Sequence, residues 1–500
     1  MISAILIENF KRFGPMNDDE KWLPLRPITI LLGPNSSGKS SVIHALLMFA
    51  QTCRRGVTGI LELQTTGSLI DLGTFSNAYH RTLTDSDSRG LRIGLELGRY
   101  RVICEWDSGW RPDSTLASPS APLVSFSVER CQVAPDEHSV FEERSSPDTP
   151  SDSEPASQLD AVSVRVMLKS GDEPGVLVTA QPEDRTDDVA PFASPWRLLG
   201  KPEPVGPHRC RLTLDDEAGI HGNVERYDGD RNAWVPAPSE SAFGQDFARF
   251  IASRISELRD ALDAMSHIGP LRHRGHRIYQ ARRASRVWRV GRDGERIVDV
   301  LLAANDGETQ LTMNSYLNEL DLGFELELRP TGITADAYEV ILRDSRGRDG
   351  SEPVRVGIPD VGSGVGQVLP LLVQLARARR RPLNKPGFVL AEQPELHLHP
   401  RGQAKLARVL CRAASVALGE TPVQMLVETH SEHLVYAIGT EIAKQRLPRS
   451  EAICLGFQPR ADGGKPWVSP VGFLANGEFE ADFPGGFFPE REELEGQRYG

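Results

Sequence analysis

The stretch "GPNSSGKS", residues 33–40, decides the fold of this chain. It matches the pattern G-x-x-x-x-G-K-[ST], it follows the β-rich run "ITILLG", and it opens a segment with apolar residues at helical spacing. Glycines there allow successive backbone N–H groups to turn inward around phosphate oxygens, and the positive end of the helix dipole adds to the attraction. The sequence therefore predicts a strand–loop–helix unit that binds phosphate.

Each residue of this loop has a predicted role. Lys39 is expected to bridge the β- and γ-phosphates of a nucleotide, and Ser40 to place its hydroxyl on Mg²⁺. The other loop residues expected to contact the nucleotide are Asn35, Ser36, Ser37, Gly38 and Ser41. The cofactors predicted here are thus ATP and Mg²⁺.

A second apolar run, "FVLAEQPELHLHP" (388–400), is expected to form a strand that carries an acid to the metal-bound phosphate. Glu392 is the candidate ligand of Mg²⁺, directly or through a water molecule. Pro394 then stops the strand. Between them stands Gln393, an amide at the position where many nucleotide hydrolases carry a second acid that polarises the attacking water. Glutamine does not take a proton from water at neutral pH, but it can orient water.

Two further segments supply candidate site residues. In "GSGVGQVLPLLVQLARARRR" (362–381), a glycine-rich turn opens a helix, and Ser363 and Gly364 are predicted to cap the γ-phosphate bound by another protomer. An ordinary glycine turn is the alternative. In "VQMLVETHSEHLV" (423–435), a predicted strand ends just before His430, which is expected to hydrogen-bond a γ-phosphate or the attacking water. A neutral core histidine is the alternative.

Bulk properties set limits on the class of protein. The chain has 500 residues, 39% of them apolar and 25% charged, as in a globular protein of more than one unit. Its net charge of −12 excludes a uniformly basic nucleic-acid binder. Its longest apolar runs are too short to span a membrane, and its six cysteines form no CxxC pair. A cytoplasmic protein without structural zinc is expected.

Together the motifs resemble ABC-type ATPases of the overcoming-lysogenization-defect, RecF and structural-maintenance-of-chromosomes (SMC) kind. The resemblance is strongest to bacterial AAA-family proteins that have a short C-terminal domain of unknown function. It covers residues 1–80 and 266–500. The segments that carry it, besides the phosphate loop, are "IENFKRFG" (7–14), "GTFSNAYH" (73–80), "HIGPLRHRGHRIY" (267–279), "DVGSGVGQVLPLL" (360–372), "LAEQPELHLHP" (390–400), "ETHSEHL" (428–434) and "FEADFPGGFFPEREEL" (479–494).

The resemblance implies an α/β fold, an ABC-type P-loop ATPase head whose mixed sheet has flanking helices, with an inserted β-rich and helical region. The head is expected over 1–85 and 266–460 and the insertion over 86–265. A Ser/Pro/Asp-rich mobile loop is expected at about 111–160, and a C-terminal tail domain over 461–500.

The resemblance also implies partners and further contacts. Lys11 and Arg12, in the opening strand and turn, are expected to contact the nucleotide. The protein is expected to form an ATP-dependent head-to-tail homodimer, or a higher oligomer, and to switch or hold an effector encoded nearby, a nuclease or toxin, in anti-phage defence. The alternative is an SMC- or RecF-like ATPase that binds DNA in repair or maintenance. Residues 435–500 contain no Asp-x-Asp pair, so no nuclease is expected in this chain.

Three features depart from the family pattern. No clear Q-loop glutamine follows the phosphate helix, although Gln51 and Gln64 lie nearby; the signature reads "SGVGQ"; and Gln393 replaces the usual catalytic glutamate. Three interpretations of Gln393 stay open. The amide is natural, Glu395 or His430 shares the water-positioning role, and hydrolysis is slow; or the amide was introduced to trap ATP; or hydrolysis is lost. Loss of a general base costs about 10²–10⁴ in rate.

An arginine-rich stretch raises the question of DNA binding. Residues 271–296 contain nine arginines and two acids. Such a stretch, Arg272 to Arg296, is expected either to contact DNA phosphates, with a strong dependence on salt, or to form an acid-paired protein surface.

Overall fold

The computed structural model describes most of the chain. The described residues are 1–14, 22–54, 62–79, 90–106, 121–130, 162–169, 175–182, 209–215, 219–228, 233–236, 242–273, 275–282, 287–304, 307–344, 353–416, 420–458 and 467–482.

Strands and helices are numbered in chain order. The strands are β1 (Ile2–Glu8), β2 (Trp22–Pro24), β3 (Ile28–Leu32), β4 (Glu62–Leu63), β5 (Leu91–Leu97), β6 (Tyr100–Trp106), β7 (Ala121–Arg130), β8 (Val162–Lys169), β9 (Gly175–Pro182), β10 (Arg209–Asp215), β11 (Gly219–Asp228), β12 (Ala233–Pro236), β13 (Met265–Ile268), β14 (Tyr279–Gln280), β15 (Phe324–Pro330), β16 (Ala337–Asp344), β17 (Arg355–Gly357), β18 (Phe388–Glu392), β19 (Gln424–Glu428), β20 (Ala452–Gln458) and β21 (Trp467–Val471). The helices are α1 (Lys39–Cys53), α2 (Phe75–Ala78), α3 (Ala242–Asp263), α4 (Ile297–Ala304), α5 (Glu308–Glu319), α6 (Ser363–Ala378), α7 (Pro400–Ala414) and α8 (Glu432–Ala443), with 3-10 turns at Ile358–Asp360 and Arg449–Glu451.

A six-stranded sheet forms the centre of the head, in the order β13-β18-β19-β3-β20-β21. Its first five strands are parallel, and β21 runs antiparallel to β20 at the edge. Every residue of β3, β18 and β19 is buried, which is why these strands read as unbroken apolar runs. The sheet has a core on each face: on β3, Leu31 packs in one core and Ile30 in the other.

Helix α1 and helices α6, α7 and α8 cover opposite faces of this sheet. Val42, Leu46 and Phe49 of α1 belong to a core that also contains residues of β1, β5 and β6, strands of a second sheet described below. Helices α6, α7 and α8 contribute to the other core. Phe49 meets Trp106 of β6 edge to face, with ring centroids 5.6 Å apart. Helix α1 is therefore held between two sheets, which fixes the direction in which its N-terminus points.

The second sheet has eleven strands, in the order β12-β11-β10-β9-β8-β7-β6-β5-β1-β2, with β4 paired to β7. Its neighbouring strands are antiparallel. A smaller sheet, β14-β16-β15 with β17 on β16, precedes α6. None of the helices in the described part of the chain has the length and hydropathy that a bilayer crossing requires.

The α/β fold class with a mixed sheet and flanking helices is confirmed, and the β-rich region is present. Three boundaries differ from the prediction. The loop expected at 111–160 is wrong at 121–130, which forms β7; the remainder of that stretch lies outside the described residues. The insertion does not begin as a separate unit at 86, because β5 pairs with β1. The tail expected from 461 contributes β21 to the central sheet.

Candidate nucleotide-binding site

The candidate site lies where three parallel strands end side by side. Strand β3 leads into the phosphate loop, β19 ends at Glu428, and β18 ends at Glu392. Glu392 is the register partner of Glu428, and Glu428 is that of Leu31. The carboxyl ends of parallel strands are where such folds bind ligands. The topology thus brings the loop and both strand-end acids to one edge.

The phosphate loop has the backbone that its glycines predict. Gly33 and Gly38 have φ angles of 139° and 109°, and a Cβ at Gly33 would collide with the carbonyl oxygen of Phe457. Helix α1 starts with no side-chain cap on its free N–H groups, and the buried Ser37 Oγ has no hydrogen-bond partner. Uncapped N–H groups and a buried, unpaired hydroxyl are what an anion would satisfy, so the loop fits a phosphate group.

Lys39 lies across this loop. Its Nζ donates to the carbonyl oxygens of Gly33 and Pro34, both at 2.8 Å. Burial lowers the pKa of Lys39, and the charge of Glu428 partly offsets this effect. The ammonium group is thus held over the loop, where a phosphate can replace the two carbonyls as its partner.

Ser40 is bound to Glu428 rather than to Glu392. Its Oγ donates to Glu428 Oε2 at 2.8 Å. Glu428 is buried, and burial raises the pKa of its carboxyl against the opposing effect of the Ser40 hydrogen bond. Glu428 is not among the site residues predicted from the sequence, so this contact adds a residue to the predicted site.

Glu392 has a different partner. His267 Nε2, on β13, lies 2.6 Å from Glu392 Oε1, and both side chains are buried. Burial by itself raises the pKa of Glu392, but the His267 hydrogen bond, together with the electrostatic effects of His267, His44 and Arg292, outweighs burial and holds the pKa below its usual value. Glu392 is therefore an ionised acid whose predicted role in metal binding has to compete with His267.

Gln393 is held in a backbone conformation that is unusual for its type. Its φ is 44°, in the left-handed region, which costs about 1–3 kcal/mol for a residue other than glycine. Its N–H donates to Glu428 O at 2.7 Å, and its carbonyl accepts from Arg272 Nη2 at 3.2 Å. Non-glycine residues with such strain cluster at functional sites. The backbone of this half-buried residue is consequently fixed by hydrogen bonds on both sides of its Cα.

Glu395 and His430 meet next to this position. Glu395 Oε1 accepts from the backbone N–H of His430 at 3.0 Å, and the buried Oε2 has no partner. The His430 ring is exposed, which excludes the alternative of a core histidine. Partial burial and then the charge of Lys39 lower its pKa. A neutral ring at the mouth of the site fits the predicted contact with a phosphate or water.

Ser363 and Gly364 lie at the start of α6, where Ser363 is exposed and Gly364 is half-buried. No side chain caps this helix, and a Cβ at Gly364 would lie 2.6 Å from the carbonyl oxygen of His397. Gly364 is therefore needed for the close contact between α6 and the loop that follows β18. The uncapped helix start remains open to an anion from outside the protomer.

Lys11 and Arg12 are not equivalent. Lys11 Nζ lies 2.6 Å from His44 Nδ1, close enough to Glu392 for the two charges to interact, whereas Arg12 is exposed. Gln51 does not act as a free Q-loop residue. Its side-chain amide donates to Gln64 O and accepts from the backbone N–H groups of Leu69 and Ile70. The structure thus places Lys11, but not Gln51, near the strand-end acids.

Most described arginines of 271–296 serve the protein's own structure. Arg277 makes two hydrogen bonds to Asp360, of 2.7 and 2.8 Å. Arg289 donates to Met265 O at 2.6 Å and contacts Asp263, and Arg296 pairs with Asp299. The acid-paired alternative describes these three side chains, which leaves the predicted DNA surface without their support.

Arg272 is a buried member of the site that sequence reasoning did not identify. Its Nη1 donates to Gln367 O at 3.1 Å and its Nη2 to Glu392 O at 2.8 Å. Its backbone exchanges two hydrogen bonds with the Gln367 side chain, at 3.2 and 2.7 Å. Arg272 thus joins the second turn of α6 to the end of β18. A single arginine within an exposed-looking basic run gives no sequence signal of such burial.

One comparison with known proteins covers part of the candidate site. Residues 306–435 match the AAA ATPase domain family. No curated protein matches the chain.

Three of the similar solved structures are SMC heads of low sequence identity to this chain. An SMC head bound to the C-winged helix domain of ScpA has 11% identity and a TM-score of 0.38, with 94% of this chain and 98% of that chain covered. The SMC head domain from Thermotoga maritima has 10% and 0.32, covering 94% and 98%. An Smc head with an extended coiled coil, bound to the C-terminal domain of ScpA derived from Pyrococcus furiosus, has 11% and 0.34, covering 99% of both chains.

The domain match runs from α5 to the first turn of α8, and it includes the start of α6 and both strand-end acids. The phosphate loop, from the other end of the sequence, completes the same edge of the sheet. Residues 306–435 are therefore similar to an AAA ATPase domain, and the phosphate loop lies at the same edge of the sheet as the strand ends within that match.

Proposed function

We propose that this protein binds ATP with Mg²⁺ at Gly33–Ser41, closes a head-to-tail homodimer around the nucleotide and hydrolyses it slowly. The observation that carries the proposal is the division of the site. The phosphate loop and the acids lie at one sheet edge, whereas Ser363 and Gly364 open a helix whose first turn has no side-chain cap and whose first residue, Ser363, is exposed. A second copy of the chain would satisfy both halves, because its helix start can cap the γ-phosphate at this loop.

The chemistry follows from the residues around the phosphate. Lys39 would neutralise the β- and γ-phosphate oxygens, and a bound Mg²⁺ would supply further charge stabilisation. Gln393 orients water without accepting its proton, so the water has to lose its proton elsewhere. The unpaired Glu395 Oε2 and the exposed His430 ring are the groups available for that role. Slow turnover and a long-lived ATP-bound dimer are the expected consequence.

Such a dimer would act as a switch for a partner effector, a nuclease or toxin, in anti-phage defence. The alternative from the sequence, an ATPase that binds DNA in repair or maintenance, gains no support from Arg277, Arg289 and Arg296, whose side chains pair within the protein. A salt-dependent mobility shift with purified protein and DNA would favour that alternative, and co-purification of a small effector would favour the switch.

The dimer is tested by light scattering with and without ATP. Ser363→Arg should leave nucleotide binding to the monomer intact and abolish the ATP-dependent doubling of mass, because it places a bulky cation at the helix start. Ser450→Arg is the matched control. Ser450 is exposed and directly precedes β20, so it lies at the amino ends of the parallel strands, whereas the site lies at their carboxyl ends. The same mass change in Ser363→Arg and wild type would refute the composite site.

A further inference from the structure

We propose that Glu428, and not Glu392, is the carboxylate that serves the metal ion at this site, by holding the Ser40 hydroxyl in the orientation that binds the cation. The inference rests on the proposed binding of ATP with Mg²⁺ and specifies which residues carry out the metal's part of it.

Strand order gives the first reason. Strand β19 lies between β18 and β3, and neighbouring strands are about 4.8 Å apart. Glu428 is the register partner of Leu31, two residues before the phosphate loop begins, whereas Glu392 lies one strand further away. The acid at the end of the intervening strand is therefore the nearer of the two to Ser40.

The hydrogen bond of Ser40 gives the second reason. A hydroxyl that binds a cation through its oxygen lone pair needs an acceptor for its proton, and such partners orient the ligand. Glu428 Oε2 is that acceptor, at 2.8 Å from Ser40 Oγ. The Glu428 side chain is buried, so this orientation is not left to mobile solvent.

The position of Glu392 gives the third reason. Its Oε1 is bonded to His267 Nε2 at 2.6 Å, and His267 lies on β13, on the side of β18 that faces away from β3. Its backbone carbonyl is bonded to Arg272. To serve Ser40, Glu392 would have to leave a buried hydrogen-bond partner. Glu428 already accepts the Ser40 hydrogen bond, so its proposed role requires no such rearrangement.

The rest of the site fits a hard cation that uses few protein ligands. Among the described residues, no three His, Cys, Asp or Glu side chains converge on a metal position. Mg²⁺ is commonly bound by one or two protein groups together with substrate phosphates and water. Ser40, oriented by Glu428, and the nucleotide phosphates would form such a set.

The test compares Glu428→Gln with Glu392→Gln, two substitutions that remove one charge at paired positions. Mn²⁺ affinity of the protein–ATP complex is measured by electron paramagnetic resonance, and ATP affinity is measured separately in EDTA. Glu428→Gln should weaken Mn²⁺ binding about 10–100-fold, as the loss of a group that orients a metal ligand does. Glu392→Gln should change it by less than about threefold, and both variants should keep ATP affinity in EDTA within about threefold of wild type.

A larger loss of Mn²⁺ affinity in Glu392→Gln than in Glu428→Gln would overturn the inference. If Glu428→Gln fails to fold, the same comparison uses Glu428→Asp, combined with Ser40→Ala in a double-mutant cycle. Coupling between positions 40 and 428, with additivity between 40 and 392, supports the inference, and the reverse pattern refutes it. Wild-type protein that binds no ATP would instead refute the proposed function itself, so the two failures are distinguishable.

Discussion

Arg272 connects α6 to the backbone at Gln393, so we expect it to control how Gln393 is placed in the site. The substitution Arg272→Lys tests this expectation. The guanidinium group donates to three carbonyl oxygens, one on α6 and two at the end of β18, and the side chain is 5% exposed. Burial lowers its pKa to about 10, so it stays charged at neutral pH. Lysine keeps the charge but cannot reproduce the planar fork that reaches all three acceptors.

The expected magnitude follows from these contacts. A hydrogen bond to a charged group contributes about 1.5–3 kcal/mol, and lysine should lose one or two of the three. A loss of about 1.5–6 kcal/mol in unfolding free energy is therefore expected, or a fall of roughly 3–24 °C in Tm at about 2–4 °C per kcal/mol. The carbonyl of Gln393 would also lose its restraint, and a misplacement of about 1 Å can lower catalysis about 10²-fold.

The assay is single-turnover ATP hydrolysis with excess protein, together with ATP affinity and Tm. Arg272→Lys should lower the hydrolysis rate about 10–100-fold while ATP affinity stays within about threefold. Arg289→Lys is the control, because Arg289 also donates to backbone carbonyl oxygens. These lie at the start of β13, at the amino ends of the parallel strands and away from the site at their carboxyl ends. An unchanged rate in Arg272→Lys, or an equal loss in Arg289→Lys, would show that Arg272 has only a structural role.

Two further predictions concern the hydrolysis step and pH. Gln393→Glu should change single-turnover hydrolysis by less than about tenfold and His430→Ala should clearly reduce it; a gain of about 10² or more in Gln393→Glu would mark the chain as a trapped variant of an active ATPase. Burial, and then the charge of Lys11, lower the pKa of His44 to about 4, against an ordinary value of 6.5. Because the unfolded chain then binds more protons between these two values, stability should be fully present above pH 6.5 and should fall as pH drops toward 4, by about 3 kcal/mol in total. His44→Gln should flatten this part of the Tm-against-pH curve, and an unchanged slope would contradict the assignment.

The sequence was sufficient for those parts of the site that are local in the chain. The loop around Lys39 and the helix that follows it are encoded within one short segment. Strands β18 and β19 are buried on both faces, so they appear as apolar runs whose ends can be located. The start of α6 could also be predicted, because the glycines that mark it are adjacent in the sequence.

The contacts that depend on strand order could not be predicted. That Ser40 meets Glu428 follows from β19 lying next to β3, and these residues are 388 positions apart. His267 and Glu392 are brought together by the pairing of β13 with β18. Periodicity gives the faces of a strand but not its neighbours. Composition misled at 121–130, because the Ser- and Pro-rich stretches on either side concealed a strand that pairs with β6 and β8.

Binding of ATP to wild type and to Lys39→Ala, measured by equilibrium titration with a fluorescent ATP analogue and Mg²⁺, tests the central claim most directly. Lys39 Nζ is held over the loop by two carbonyl oxygens, so its removal deletes the cation that should meet the phosphates. Lys385→Ala is the control, since Lys385 pairs with Asp260 before the start of β18. The account predicts a loss of affinity of about 100-fold or more in Lys39→Ala, equivalent to at least about 2.7 kcal/mol, and none in Lys385→Ala. Undiminished affinity in Lys39→Ala would contradict the assignment of Gly33–Ser41 as the ATP site.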